Sequence, residues 1–117
     1  MARPVKMTVN NNTNRKLILK DYEAKHGKFT TNPPREIEST GSWNCSTKSG
    51  AMIGPKGIVT YEDEKQEFIV EFHYNHPYGG ATSSYRVKPD PSDAIGYDIK
   101  GDFTGKDQDI TFGLYIL

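Results

Sequence analysis

Apolar and polar residues alternate along several stretches of the chain, the pattern of a strand with one buried face. The clearest stretch is Glu67 to Tyr74. Phe68, Val70, Phe72 and Tyr74 fall on one side, and Glu67, Ile69, Glu71 and His73 on the other. Near the C-terminus Ile110, Phe112, Leu114 and Ile116 alternate with Thr111, Gly113 and Tyr115. Val5, Met7 and Val9 repeat the pattern ahead of the turn-like run Asn10 to Asn14. Weaker strand candidates are Leu17 to Tyr22, Gly57 to Tyr61, Ser83 to Val87 and Gly96 to Phe103. Clusters of Gly, Pro, Asp, Asn and Ser punctuate them, among them Asn32-Pro33-Pro34, Gly54-Pro55-Lys56-Gly57, Pro77-Tyr78-Gly79-Gly80 and Lys88 to Asp93. No segment sustains a 3.6-residue apolar period. The pattern predicts an all-β chain, an antiparallel β-sandwich forming one domain over residues 1–117. The last strand carries no charge, so an uncovered edge there would invite aggregation, and it is expected inside its sheet.

Composition narrows the function classes. Fifteen basic side chains balance fifteen acidic ones, which disfavours a nucleic-acid binder with its basic stripe. No stretch approaches the roughly 18–20 apolar residues of a membrane-spanning helix. Seven Tyr, five Phe and one Trp argue for a packed core rather than disorder. Cys45 is the only cysteine, so no intramolecular disulfide forms, and a reducing compartment is favoured. Met1 to Met7 shows no apolar leader segment. A cytoplasmic or unconventionally released protein is expected.

Candidate chemistry is sparse. His73 and His76 sit three residues apart, which on a strand puts them on opposite faces. With His26 they supply too few neighbouring ligands for structural zinc. The acidic run from Tyr61 to Lys65 lacks the alternating ligands of a calcium loop and reads as a solvated hairpin tip. Gly54-Pro-Lys-Gly57 lacks the Lys-Ser/Thr ending and the helix of a phosphate-binding loop. Cys45 has no catalytic-cysteine signature around it. An enzyme is not expected, nor a metal or other cofactor.

One stretch is unusual for a plain structural domain: His76 to Tyr85, in which Tyr78 and Tyr85 flank small hydroxyl-bearing and flexible residues. Tyrosine joins an apolar ring to a polar tip, which suits a membrane interface, a choline-like cation or a sugar. Trp43 is a second candidate of this kind. The alternative is that Tyr78 packs as a corner residue and Trp43 fills the core.

The order of short segments resembles the aegerolysins, small all-β lipid-binding proteins. An Asn-rich turn (Val9 to Thr13) leads to a Leu/Ile strand and then His26-Gly27-Lys28-Phe29, similar to that family's Trp-Gly-Lys element. Ile37 to Gly41, Ser49-Gly50-Ala51, Gly54 to Gly57 and Val59-Thr60-Tyr61 follow in similar order. Phe72 to Gly79 resembles its aromatic strand and Pro-Trp-Gly corner, and Tyr85-Arg86-Val87 precedes a final strand. His26 and Tyr78 stand where the family usually has Trp. More distantly, the Gly-x-x-Gly and tyrosine-loop features are similar to actinoporins, whose sandwich binds phosphocholine headgroups. The resemblance, spanning about Val5 to Leu117, implies a sandwich recognising a sphingolipid or sterol-containing surface, with headgroup contact carried by Tyr78, Tyr85 and Trp43 and with Ser83, Ser84 and His76 as polar contacts. In some members such a protein is the targeting half of a two-component pore-forming toxin or haemolysin, working with a larger perforin-like partner. A carbohydrate-binding, lectin-like module and a self-associating structural or developmental protein are the competing readings. Zero net charge implies lipid binding that changes little with salt.

Overall fold

A computed structural model describes residues 2–117. Ten strands run in chain order: β1 (Val5–Asn12), β2 (Leu17–His26), β3 (Lys28–Thr31), β4 (Glu36–Ile37), β5 (Thr40–Ser46), β6 (Lys56–Asp63), β7 (Ile69–Asn75), β8 (Ser84–Asp90), β9 (Gly96–Lys100) and β10 (Gln108–Tyr115). They form two five-stranded sheets, ordered β3-β5-β1-β10-β9 and β4-β2-β6-β7-β8. The β-sandwich expected from alternation is observed, with one correction. β1 and β10 pair in parallel, Val5 opposite Gln108 through Asn12 opposite Tyr115; the other pairings are antiparallel. Alternation shows which face a strand buries but not which strand lies beside it.

The inward positions follow the predicted period. Val5, Met7 and Val9 from β1, Val70, Phe72 and Tyr74 from β7, and Ile110, Phe112 and Leu114 from β10 are all buried. Ile116 departs from it, lying beyond β10 and more than half exposed. β10 sits between β1 and β9, so the charge-free run from Ile110 onward has a partner strand on each side; the strand itself begins two residues earlier and includes Asp109. The two sheets meet through an aromatic cluster. Trp43 of one sheet lies 5.7 Å from Phe72 of the other, and Phe72 lies 5.0 Å from Phe112, centroid to centroid.

Three segments read as turns behave differently. The Asn-rich run continues β1 as far as Asn12. Buried Asn11 makes this possible: its amide nitrogen donates to the Arg15 and Glu38 carbonyls, and its oxygen accepts from Thr13. Lys88-Pro89-Asp90 extends β8, where Pro89 is tolerated because β8 is an edge strand. The acidic run ends in a β6–β7 hairpin as expected, but Asp63 is buried within it. Its carboxylate accepts backbone N–H groups of Glu67 (2.6 Å) and Phe68 (2.8 Å) and the Arg15 guanidinium (2.7 Å). Burial alone would raise the Asp63 pKa; the hydrogen bonds outweigh it and hold it below the usual value.

Candidate functional site

Register divides the sandwich into two ends. The N-terminal ends of β1, β6, β8 and β10 lie together with the C-terminal ends of β2, β5 and β7. Three connections project from this end: residues 47–55 between β5 and β6, 76–83 between β7 and β8, and 101–107 between β9 and β10.

A groove of about 530 Å³ opens at this end between the 47–55 loop, β3 and Tyr78 of the 76–83 connection, lined by Lys28, Thr30, Thr47, Lys48, Met52 and Tyr78 among others. Tyr78 is half-buried. Its hydroxyl lies 3.4 Å from the Ala51 carbonyl, and the Arg3 guanidinium stands 5.8 Å from its ring centroid. Beside Tyr78, the 47–55 loop carries Met52, 79% exposed, and Ile53, 54% exposed. Two adjacent large apolar side chains on a loop flanked by lysines are unusual on a water-facing surface.

Of the six residues singled out by sequence, Tyr78 lines the groove, and Ser84 is exposed at the start of β8. The other four are corrected by burial. Trp43 is fully enclosed between the sheets, against Phe72, Tyr61 and Phe112. Tyr85 points inward on β8 and donates its hydroxyl to the Gln108 side chain at 2.5 Å. His76 and Ser83 are buried against each other, with Nδ1 2.6 Å from the Ser83 hydroxyl oxygen. Tyr85, His76 and Ser83 pack beneath the groove end, whereas Trp43 packs at the centre of the contact between the sheets.

His76 is the hub. Nε2 lies 2.6 Å from the Lys106 carbonyl, the His76 backbone N–H donates to Pro55, and the Ser83 N–H donates to Phe103. One residue, through its ring and its backbone N–H, thereby ties all three projecting connections together. The arrangement suits a neutral imidazole, protonated at Nε2 and accepting at Nδ1. Burial chiefly holds the His76 pKa below its ordinary value of 6.5. Stability from this group is complete above that value. It declines as pH falls, because the unfolded chain takes up the proton first. We expect the unfolding midpoint to drop between about pH 7.5 and about pH 5.5, and to drop less in His76→Asn. Equal pH dependence in both proteins would remove the assignment.

Sequence reasoning missed Lys28, Lys48, Met52 and Ile53. The available signal was the pair Met52-Ile53 between Gly50 and Gly54, outside any alternating run. Cys45 is buried, and desolvation pushes its thiol up to about 12, so it is not poised as a nucleophile. Among the described residues no group of three or more His, Cys, Asp or Glu converges on a possible metal position.

Fold and groove together define a two-sheet β-sandwich whose groove end carries three connections and the exposed pair Met52-Ile53. No family model and no curated protein matches the chain. Solved structures do. The lipid-binding protein Nakanori superposes with a TM-score of 0.79 at 15% identity, covering 96% of this chain and 70% of that one. RahU protein, solved in complex with a Tris molecule, gives 0.79 at 19% identity, covering 98% and 96%. IP-1A from Alcaligenes faecalis gives 0.74 at 15% identity, covering 97% and 91%. The aegerolysin-like β-sandwich that the sequence resembles is therefore the fold observed.

Proposed function

We propose that this protein is a non-catalytic, peripheral lipid-surface binder, and that it engages the membrane through its groove end. The observation that carries the reading is the exposed Met52-Ile53 pair beside a groove lined by Lys28, Lys48 and Tyr78. Apolar side chains on a loop tip gain by leaving water for the acyl boundary, while lysines and a tyrosine suit the headgroup layer above it. The fold shared with a structure described as lipid-binding supports the same reading. A sphingolipid or sterol-containing surface is the target that the aegerolysin resemblance favours.

Sedimentation with vesicles of phosphatidylcholine, sphingomyelin and cholesterol tests it, comparing wild type with Met52→Ser/Ile53→Ser. Both side chains are largely in water, so the double variant should fold normally. Full burial of one such side chain contributes about 1.5–3 kcal/mol, and partial insertion of two should make binding at least about tenfold weaker in the variant. Unchanged binding by the double variant would show that this loop is not the contact.

A further inference from the structure

Zero net charge conceals a strong division along the strand direction. The groove end, comprising residues 2–4, 25–28, 46–56, 75–84 and 101–107, carries Arg3, Lys25, Lys28, Lys48, Lys56 and Lys106 against only Asp102 and Asp107. The opposite end, residues 10–18, 36–39, 62–68, 90–96 and 115–117, carries eight carboxylates against Arg15, Lys16 and Lys65.

Pairing sharpens the contrast. At the acidic end Arg15 is bridged to Asp63 and Glu67, and Lys16 lies within 3.7 Å of Glu36 and 3.6 Å of Glu38. At the groove end the ion pair formed is Lys106 with Asp107, at 3.7 Å. Lys25, Lys28, Lys48 and Lys56 have no carboxylate partner among the described residues and are exposed. The domain is thus an electrostatic dipole whose positive pole coincides with the loop that exposes Met52 and Ile53.

We propose that the groove end docks on bilayers containing anionic phospholipid. Lys28 and Lys48 meet headgroup phosphates, Lys25 and Lys56 add to the local field, and Met52 and Ile53 sit below them. This rests on the lipid-surface reading and adds the charge class of the lipid and the orientation of the domain. A nucleic acid would satisfy the cations but leaves the Met52-Ile53 pair without a role, whereas a bilayer surface accounts for both. A field of this kind orients an approaching domain even at zero net charge, and its pull decays within a Debye length. Binding should therefore weaken with salt, contrary to the expectation from net charge alone.

The test measures partition onto phosphatidylcholine–cholesterol vesicles with and without about 30 mol% phosphatidylserine, at about 0.05 M and about 0.5 M salt. A parallel arm uses sphingomyelin–cholesterol vesicles. The variants are Lys28→Glu/Lys48→Glu and, at sites outside the groove end, Lys65→Glu/Lys88→Glu, which changes net charge equally. Phosphatidylserine should strengthen wild-type binding, and high salt should remove most of the gain. The groove-end variant should lose about thirtyfold or more, since each lysine near a charged surface contributes about fivefold, and the second variant should lose far less. Equal losses in the two variants, or no effect of phosphatidylserine, would overturn the proposal. Salt-insensitive binding to sphingomyelin–cholesterol vesicles would then leave the lipid-surface reading standing alone. Binding to no vesicle removes both readings. Binding to a DNA duplex as tight as to the anionic vesicles, and indifferent to Met52→Ser/Ile53→Ser, would assign the basic end to nucleic acid instead.

Discussion

Trp43→Ala should destabilise the protein by about 3–5 kcal/mol, the range for truncating a large aromatic in a packed core. Trp43 is fully buried at the centre of the contact between the sheets. Its ring lies 6.4 Å from Phe112 in a stacked arrangement, 5.7 Å from Phe72 edge-on and 6.3 Å from Tyr61. Removing it opens a void that both sheets border, and β5 pairing with β1 prevents its backbone from moving in to fill the space. Against a typical stability of 5–15 kcal/mol, such a loss approaches unfolding. Urea denaturation followed by far-ultraviolet circular dichroism gives the value directly. Trp43→Phe should cost much less, because it keeps an aromatic in place and removes an indole N–H that finds no protein acceptor among the described residues. The same placement has a spectroscopic consequence. Trp43 is the only tryptophan, so its emission should stay that of a buried indole when vesicles are added. A loss below about 1 kcal/mol in Trp43→Ala would mean that the sheets do not close on this side chain.

That result would also separate what the residues reveal from what only folding decides. The strands whose inward positions are strongly apolar, such as β7 and β10, are legible because alternation survives intact along them. β5 is not. Its inward positions are Gly41, Trp43 and Cys45, set among Thr40, Ser42 and Asn44, so one large side chain carries the whole apolar signal and resembles a surface anchor. β2 is only partly legible, since shifts in register between Leu19 and Asp21 and between Ala24 and His26 break its period. β3 and β4, of four and two residues, are too short to show a period at all.

The groove end divides in the same way. Tyr78 in a Pro-Tyr-Gly-Gly corner signals a loop aromatic from local residues alone. His76 and Ser83 sit in the same stretch and look equally available, yet their burial depends on residues 55, 103 and 106 arriving from elsewhere in the chain. The polarity of the domain is invisible in a linear count because the two poles are assembled from alternating segments. Only the strand register sorts those segments to opposite ends.

Gly54→Ala tests that assembled end at its tightest point, and we expect it to cost about 3 kcal/mol or more, the upper part of the range for overpacking. A β-carbon at position 54 would lie 1.8 Å from the His76 carbonyl oxygen, 2.8 Å from its carbon and 3.0 Å from the Pro77 carbonyl carbon. All three are backbone atoms, so no side chain can swing aside to relieve the clash. The 47–55 loop must then part from the 76–83 connection, against the hydrogen bond from the His76 N–H to Pro55. Because His76 also holds Ser83 and the Lys106 carbonyl, the displacement spreads to the third connection. Met52 and Ile53 immediately precede Gly54 and lose their fixed position relative to Lys28 and Tyr78. Vesicle binding should therefore fall together with stability, measured below the variant's unfolding midpoint. Gly80→Ala, in the corner loop with nothing within 4 Å of the added carbon, should change stability by no more than about 0.5 kcal/mol. If Gly54→Ala unfolded at the wild-type urea concentration, the close approach of the two connections would be wrong, and the groove end would not be the rigid surface that docking requires.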